Sequence, residues 1–125
     1  MIYKGDFVDG KKQGQGKLLW PDGNSYEGEF FNDDLHGKGC YKWSTGKKYT
    51  GEWVDGQMKG YGEYEWKDGS KYVGNFEQDQ RNGHGVMFKA NGKVYEGEWK
   101  NGLKHGEGIA TFVTERKQTR RKETV

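Results

Sequence analysis

Apolar and polar positions alternate along this chain inside a longer period of 23 residues, and rings and glycines mark that period. Tyrosines stand at Tyr3, Tyr26, Tyr49, Tyr72 and Tyr95. Two residues after each comes a glycine: Gly5, Gly28, Gly51, Gly74 and Gly97. Eleven residues after it come Gly14, Gly37, Gly60, Gly83 and Gly106, and thirteen after it Gly16, Gly39, Gly62, Gly85 and Gly108. The remaining glycines of the 22 fall on two shorter columns, Gly10, Gly56 and Gly102, and Gly23, Gly46, Gly69 and Gly92, so none lies off the lattice. A ring follows each tyrosine by four residues, at Phe7, Phe30, Trp53, Phe76 and Trp99. A further ring column holds Trp20, Trp43, Trp66 and Phe112, broken by Lys89 in the fourth unit. Glu27, Glu29, Glu52, Glu96 and Glu98 alternate with these rings at period two. Such alternation with aromatic enrichment predicts strands, and the glycines bar long helices. Each unit therefore reads as strand, tight turn, strand and short loop. Asp9-Gly10, Asp55-Gly56 and Asn101-Gly102 are turn dipeptides suited to hairpins. Asp33 and Asp79 replace the turn glycine in units two and four, where Asp adopts the left-handed conformation less freely.

A register follows if the turn occupies the seventh and eighth residues after each tyrosine and a five-residue loop joins the units. It sets Trp53 between Gly60 of its own hairpin and Gly39 of the preceding one. It also makes Trp43, Tyr49 and Tyr64 a cross-strand row. Rings lying flat over bare backbone offset the strand-weakening effect of glycine. Sixteen of the 19 aromatic residues share one face, with Phe31, Tyr61 and Phe88 on the other, which is charged and polar.

The run Tyr95-Glu96-Gly97-Glu98-Trp99-Lys100-Asn101-Gly102, followed by His105-Gly106-Glu107-Gly108, resembles the MORN repeat (membrane occupation and recognition nexus), as does Tyr49 to Gly69. The resemblance covers residues 3 to about 112 in five units. It implies an all-β fold: an elongated, twisted, single-layer antiparallel sheet of about ten strands from five hairpins. It also implies scaffolding in cytoskeletal or ciliary assemblies, membrane-linked junctions, and binding of protein partners. The array is expected over 1–112, with 113–125 a basic tail, helical or disordered.

Composition changes the picture in two places. Hydrophobic residues are only 30% of the 125 while rings are 15%, so burial must come from aromatics rather than aliphatics. Net charge is +2, but the tail sets Arg116, Lys117, Arg120, Arg121 and Lys122 against Glu115 and Glu123. Affinity for polyanions is expected to sit there, with nucleic acid an unsupported partner. Cys40 is the single cysteine, so no disulfide or thiolate metal cluster forms within the chain. No apolar leader or membrane-length run is visible, which leads to the expectation of a cytoplasmic protein at the cytoskeleton or cilium.

Chemistry finds little footing. His36 and His105 occupy equivalent positions three units apart, roughly 29 Å at about 4.8 Å per strand, too far to share a metal. His84 has no ligand neighbour in sequence, and no phosphate loop or nucleophile–base order is present. No catalytic residue, metal or cofactor is assigned. The expected function is a non-enzymatic adaptor gripping proteins through its glycine-aromatic face, at Tyr26, Trp43, Tyr49, Trp53, Tyr64, Trp66, Tyr72 and Trp99. Self-association through the same face would give a homodimer. The alternative is a peripheral phosphoinositide-binding protein whose anionic-lipid contacts are Lys47, Lys48, Lys71, Lys93, Arg120 and Arg121.

Overall fold

The computed structural model describes residues 1–114 and 117–124. Their strands are β1 (Ile2–Val8), β2 (Lys11–Leu19), β3 (Ser25–Phe31), β4 (Asp34–Lys42), β5 (Lys48–Val54), β6 (Gln57–Glu65), β7 (Lys71–Glu77), β8 (Gln80–Phe88), β9 (Val94–Lys100), β10 (Leu103–Thr114) and β11 (Lys117–Thr124). All eleven form one antiparallel sheet in sequence order. Among the described residues no helix is long and apolar enough to cross a membrane.

The hairpin turns have two residues, as the sequence register assumed, but sit one residue earlier. Asp9 and Gly10 both have positive φ (51° and 78°), and the same holds at Asn32-Asp33, Asp55-Gly56, Gln78-Asp79 and Asn101-Gly102. Two left-handed central residues are the signature of the type I′ turn, whose twist matches that of the strands. The turn thus sits at the sixth and seventh residues after each tyrosine. Asp33 and Asp79 use their side chains where glycine would only relax the backbone. Asp33 Oδ1 accepts the Lys12 N–H at 2.7 Å, and Asp79 Oδ1 accepts the Met58 N–H at 2.8 Å. Each ties its turn to the preceding hairpin.

Within each hairpin a bulge follows. Gly5 pairs with Gly16 and Phe7 with Lys12, so Asp6 alone opposes three residues. The glycine at the bulge is left-handed in every unit, as at Gly14 (φ 83°) and Gly60 (φ 89°). A carboxylate opposite caps the bulge. Glu29 Oε2 accepts the Lys38 N–H and Glu52 Oε2 accepts the Tyr61 N–H, both at 2.5 Å. The glutamates of the polar face at these positions are therefore part of the fold.

The joining loops are shorter than assumed. The Trp20 N–H donates to Asn24 O and the Gly23 N–H to Trp20 O, both at 3.0 Å, and Gly23 has φ 94°. This is a three-residue loop closed by a left-handed glycine. It recurs with Gly46, Gly69 and Gly92. The loops set Trp53 opposite Gly37 rather than Gly39, and the earlier turn with its bulge sets it opposite Met58 rather than Gly60. The cross-strand row is Tyr41, Tyr49, Tyr64 and Tyr72. The rings keep their face.

The glycine pairs form an unbroken row from Gly5 across to Gly108. A Cβ on Gly51 would lie 2.5 Å from Gly62 Cα, and one on Gly62 would lie 2.5 Å from the Tyr49 ring. Tyrosine rings occupy the space that the glycines leave. The hydroxyls of Tyr26, Tyr49 and Tyr72 donate to the carbonyls of Glu29 (2.8 Å), Glu52 (2.9 Å) and Asn75 (2.9 Å). Those residues have no register partner in their own hairpins, so the tyrosine satisfies backbone beside the bulge.

The tail departs from expectation. Lys117–Thr124 is not helical or disordered but an eleventh strand, in register from Glu107↔Thr124 to Thr114↔Lys117. The open edge of β10 offers unpaired backbone groups, and cross-strand pairs favour their use. Lys122 Nζ lies 3.2 Å from Glu107, and Lys104 Nζ 3.3 Å from Glu123. Glu115, Arg116 and Val125 of the expected tail lie outside the described residues.

Candidate partner-binding face

The aromatic face has two levels. The lower level is core. Tyr26, Tyr49 and Tyr72 are 0% exposed, and Phe30, Trp53, Phe76 and Trp99 are nearly as buried. Each tyrosine meets the ring four residues ahead edge-on, as in Tyr26–Phe30 (5.1 Å) and Tyr49–Trp53 (5.1 Å). It also meets the equivalent ring of the next unit, as in Tyr26–Trp53 (5.7 Å) and Tyr49–Phe76 (5.1 Å). The T-shaped geometry suits ring quadrupoles, and such pairs contribute about 1 kcal/mol each beyond area. Trp53 and Trp99 also donate their indole N–H groups to the carbonyls of Gly39 and Gly85, each at 3.2 Å.

The upper level is half-buried. Trp20, Tyr41, Trp43, Tyr64 and Trp66 form a continuous ladder, with successive centroids 5.2, 4.6, 5.5 and 4.7 Å apart. Of the eight residues expected to contact a partner, only Trp43, Tyr64 and Trp66 belong to it. Tyr26, Tyr49 and Tyr72 have no surface to offer, and Trp53 and Trp99 almost none. They are corrected to core residues, because one sheet layer must build its core from the rings of its own face. Trp20 and Tyr41 join the candidate site instead.

Sequence reasoning also missed Arg81, which extends the ladder. Nine residues after each tyrosine stand Lys12, Leu35, Met58, Arg81 and Lys104, a column without common chemistry and so without a visible signal. Alternation puts this column on the aromatic face, and the turn and bulge set it opposite the ring four residues after each tyrosine. The Arg81 guanidinium carbon lies 4.8 Å from the Trp99 ring centroid, 5.6 Å from Trp66 and 6.0 Å from Tyr72. Burial lowers the Arg81 pKa and the neighbouring Tyr72 and Tyr64 oppose that shift. Lys12 lies 5.5 Å from the Tyr3 ring and Lys104 4.2 Å from Tyr95.

The candidate lipid contacts do not share a surface. Lys48 pairs with Glu65 at 4.0 Å and Lys71 with Glu63 at 3.1 Å, on the polar face. Lys47 is exposed in a loop. Arg120 and Arg121 are neighbours on one strand, opposite Thr111 and Ala110, and so point to opposite faces. Lys93 and Arg121 do meet on the aromatic side, in a cleft that Lys89 and Lys104 also line. His36, His84 and His105 are not brought together, and among the described residues no group of three metal-ligating side chains converges. His84 sits between Glu96 and Glu98, at 3.3 and 3.6 Å.

A one-layer sheet of five bulged hairpins, with one ring face and one polar face, defines a solenoid-like repeat protein. The chain belongs to the MORN-repeat family: the MORN repeat model matches residues 3–25, 26–48, 49–71, 72–94 and 95–114. The matched units begin at the five lattice tyrosines. No curated protein matches the chain. MORN repeats occur in protein-binding and in membrane-associated proteins, and all-β arrays of them are typically non-enzymatic.

Proposed function

We propose that this chain is a non-enzymatic adaptor that holds a segment of another protein on its aromatic face, as a subunit of a cytoskeletal or ciliary (axonemal) assembly in the cytoplasm. The observation that carries the reading is the half-buried ladder from Trp20 to Trp66. Nothing in the chain's own described residues covers it, and contiguous ring surfaces of this kind mark interfaces on soluble proteins. Tyrosine and tryptophan anchor interfaces more often than other residues. The buried level below is rigid, so the ladder is presented without a large ordering cost on binding.

The test compares capture of native partners by the wild-type chain, Trp66→Ala, Tyr64→Ala and Glu27→Lys, each shown folded by circular dichroism. Loss of a partner with either ring variant, and retention with Glu27→Lys, is the expected pattern. A hot-spot ring costs on the order of 2 kcal/mol or more when truncated. Full capture by both ring variants places the interface elsewhere. Contact with anionic lipid is the second reading, favoured only by the meeting of Lys93 with Arg121, Lys89 and Lys104.

A further inference from the structure

Arg81 stands where the two preceding units carry Leu35 and Met58, both apolar and both packed with the core. A half-buried guanidinium in that place is not explained by packing. Rings attract its charge, yet they accept none of its five N–H groups in the plane where a carboxylate or carbonyl would. Among the described residues one such bond exists: Nη2 donates to Gly102 O at 2.6 Å. No carboxylate lies within ion-pair distance of Arg81 among the described residues. The other cations of the same column are matched, Lys12 by Asp33 at 3.8 Å and Lys104 by Glu123 at 3.3 Å.

The two acids that share clefts with Arg81 are already engaged, Asp68 within its own loop and Asp79 with the preceding hairpin. Asp68 Oδ1 accepts the Ser70 N–H at 2.8 Å, and Asp79 Oδ1 accepts the Met58 N–H at 2.8 Å. Arg81 borders two clefts, one of about 270 Å³ shared with Trp66, Asp68 and Lys89, the other of about 230 Å³ shared with Tyr64, Trp66 and Asp79. Beyond Lys89 the face continues into Lys93, Lys104 and Arg121, with Glu123 the acid among them. The ring ladder thus ends in a cationic patch whose innermost member lacks an anion.

We propose that Arg81 receives a carboxylate from the bound protein segment, an aspartate or glutamate flanked by apolar residues that lie on Trp43, Tyr64 and Trp66. This deepens the adaptor reading and rests on it. A planar guanidinium held from behind by Trp99 presents a pre-set fork, suited to two parallel bonds to one carboxylate. A side chain reaches into the clefts beside Trp66. A membrane plane fits less well, because the lysines that would join it divide between the two faces, and Lys48 and Lys71 are already paired.

The test begins with a random peptide library displayed on phage and selected against the full chain. Selected peptides are expected to carry Asp or Glu beside apolar residues. Replacing that acid by its amide is expected to weaken binding to the wild-type protein about tenfold. Arg81→Met, which grafts the Met58 side chain of the neighbouring unit and so keeps the packing, is expected to weaken the acidic peptide by the same factor. It leaves the amide peptide unchanged, and Arg81→Lys falls between. Peptides that need Trp66 but are indifferent to their acids overturn the inference and leave the adaptor reading standing. Peptides that bind Trp43→Ala and Trp66→Ala at full strength overturn both. If no acidic peptide is selected while phosphatidylinositol bisphosphate vesicles bind at physiological salt in an Arg81-dependent way, the anion is a lipid headgroup and the inference is wrong.

Discussion

At the scale of single residues the fold rests on a reciprocal fit between glycine and tyrosine. The Tyr49 ring occupies the volume that a side chain on Gly62 would claim, and its hydroxyl closes the backbone beside the bulge. Gly62 lies in ordinary extended backbone, so replacing it tests packing alone. Gly62→Ala is expected to destabilise by about 2 kcal/mol, because the ring must leave its slot or the strand must shift. Equilibrium urea unfolding measures this, and an unchanged midpoint would refute the account. Burial pushes the Tyr72 pKa up to about 12 and those of Tyr26 and Tyr49 higher still. In the unfolded chain tyrosine titrates near 10. Above about pH 10 the unfolded state therefore releases protons that the folded state retains. The stabilisation is fully present below pH 10 and is lost as pH rises through the folded values. Alkaline titration should show tyrosinate absorbance from the buried rings appearing together with loss of the strand signal. Ionisation of all eight tyrosines near pH 10 with the sheet intact would contradict the burial.

At the scale of elements the turns alternate between two solutions to one problem. At all four turns Asp33, Gly56, Asp79 and Gly102 donate the backbone N–H to a carbonyl of the preceding hairpin. Gly56 and Gly102 relax the left-handed position, whereas Asp33 and Asp79 occupy it and add a side-chain oxygen that accepts a backbone N–H from that hairpin. The two solutions are expected to be interchangeable. Gly56→Asp places an acceptor where the Leu35 N–H is the counterpart of those of Lys12 and Met58, and nothing lies within 4 Å of an added Cβ there. Strain at positive φ and the new hydrogen bond oppose one another, so stability should change by less than about 0.5 kcal/mol. Thermal unfolding decides it, and a loss of several degrees would show that the hydrogen bond does not form. The eleventh strand belongs to this scale as well. Its pairing removes the open edge of β10 and leaves β1 and β11 as the two rims of the sheet.

At the scale of the whole molecule, eleven strands in sequence order, spaced at about 4.8 Å, extend the sheet to roughly 50 Å. Strand pairing joins only neighbours in sequence and the ring contacts described reach no further than the next unit, so stability accumulates unit by unit, as in other repeat arrays. Small-angle scattering is expected to report an elongated particle, with no helical signal in circular dichroism. A compact particle of low anisotropy would be incompatible with one layer. An elongated layer also accounts for the candidate site, since a single sheet leaves its upper ring level without a covering layer.

The unit length, the strand character and the division into a ring face and a polar face were all legible in the sequence. They follow from local chemistry: glycine where no side chain fits, rings at period two, and turn dipeptides between them. The register was not legible, and the reason is geometric. A slip of one residue would have turned the rings to the other face, but the slip here was of two, which leaves every residue on its own face and so leaves the alternation unchanged. Only the three-residue loops, the bulges and the type I′ turns of the folded sheet choose between such registers. That choice decided which rings became core and which stayed half-exposed, turning Tyr26, Tyr49 and Tyr72 inward and leaving Trp20 and Tyr41 in the ladder. It decided that Arg81 lies opposite Phe76 beside the rings, since the alternation gives its face but not its partner. The strand at Lys117–Thr124 was likewise a tertiary outcome: its residues carry no ring lattice, and they pair because β10 presents an open edge beside them.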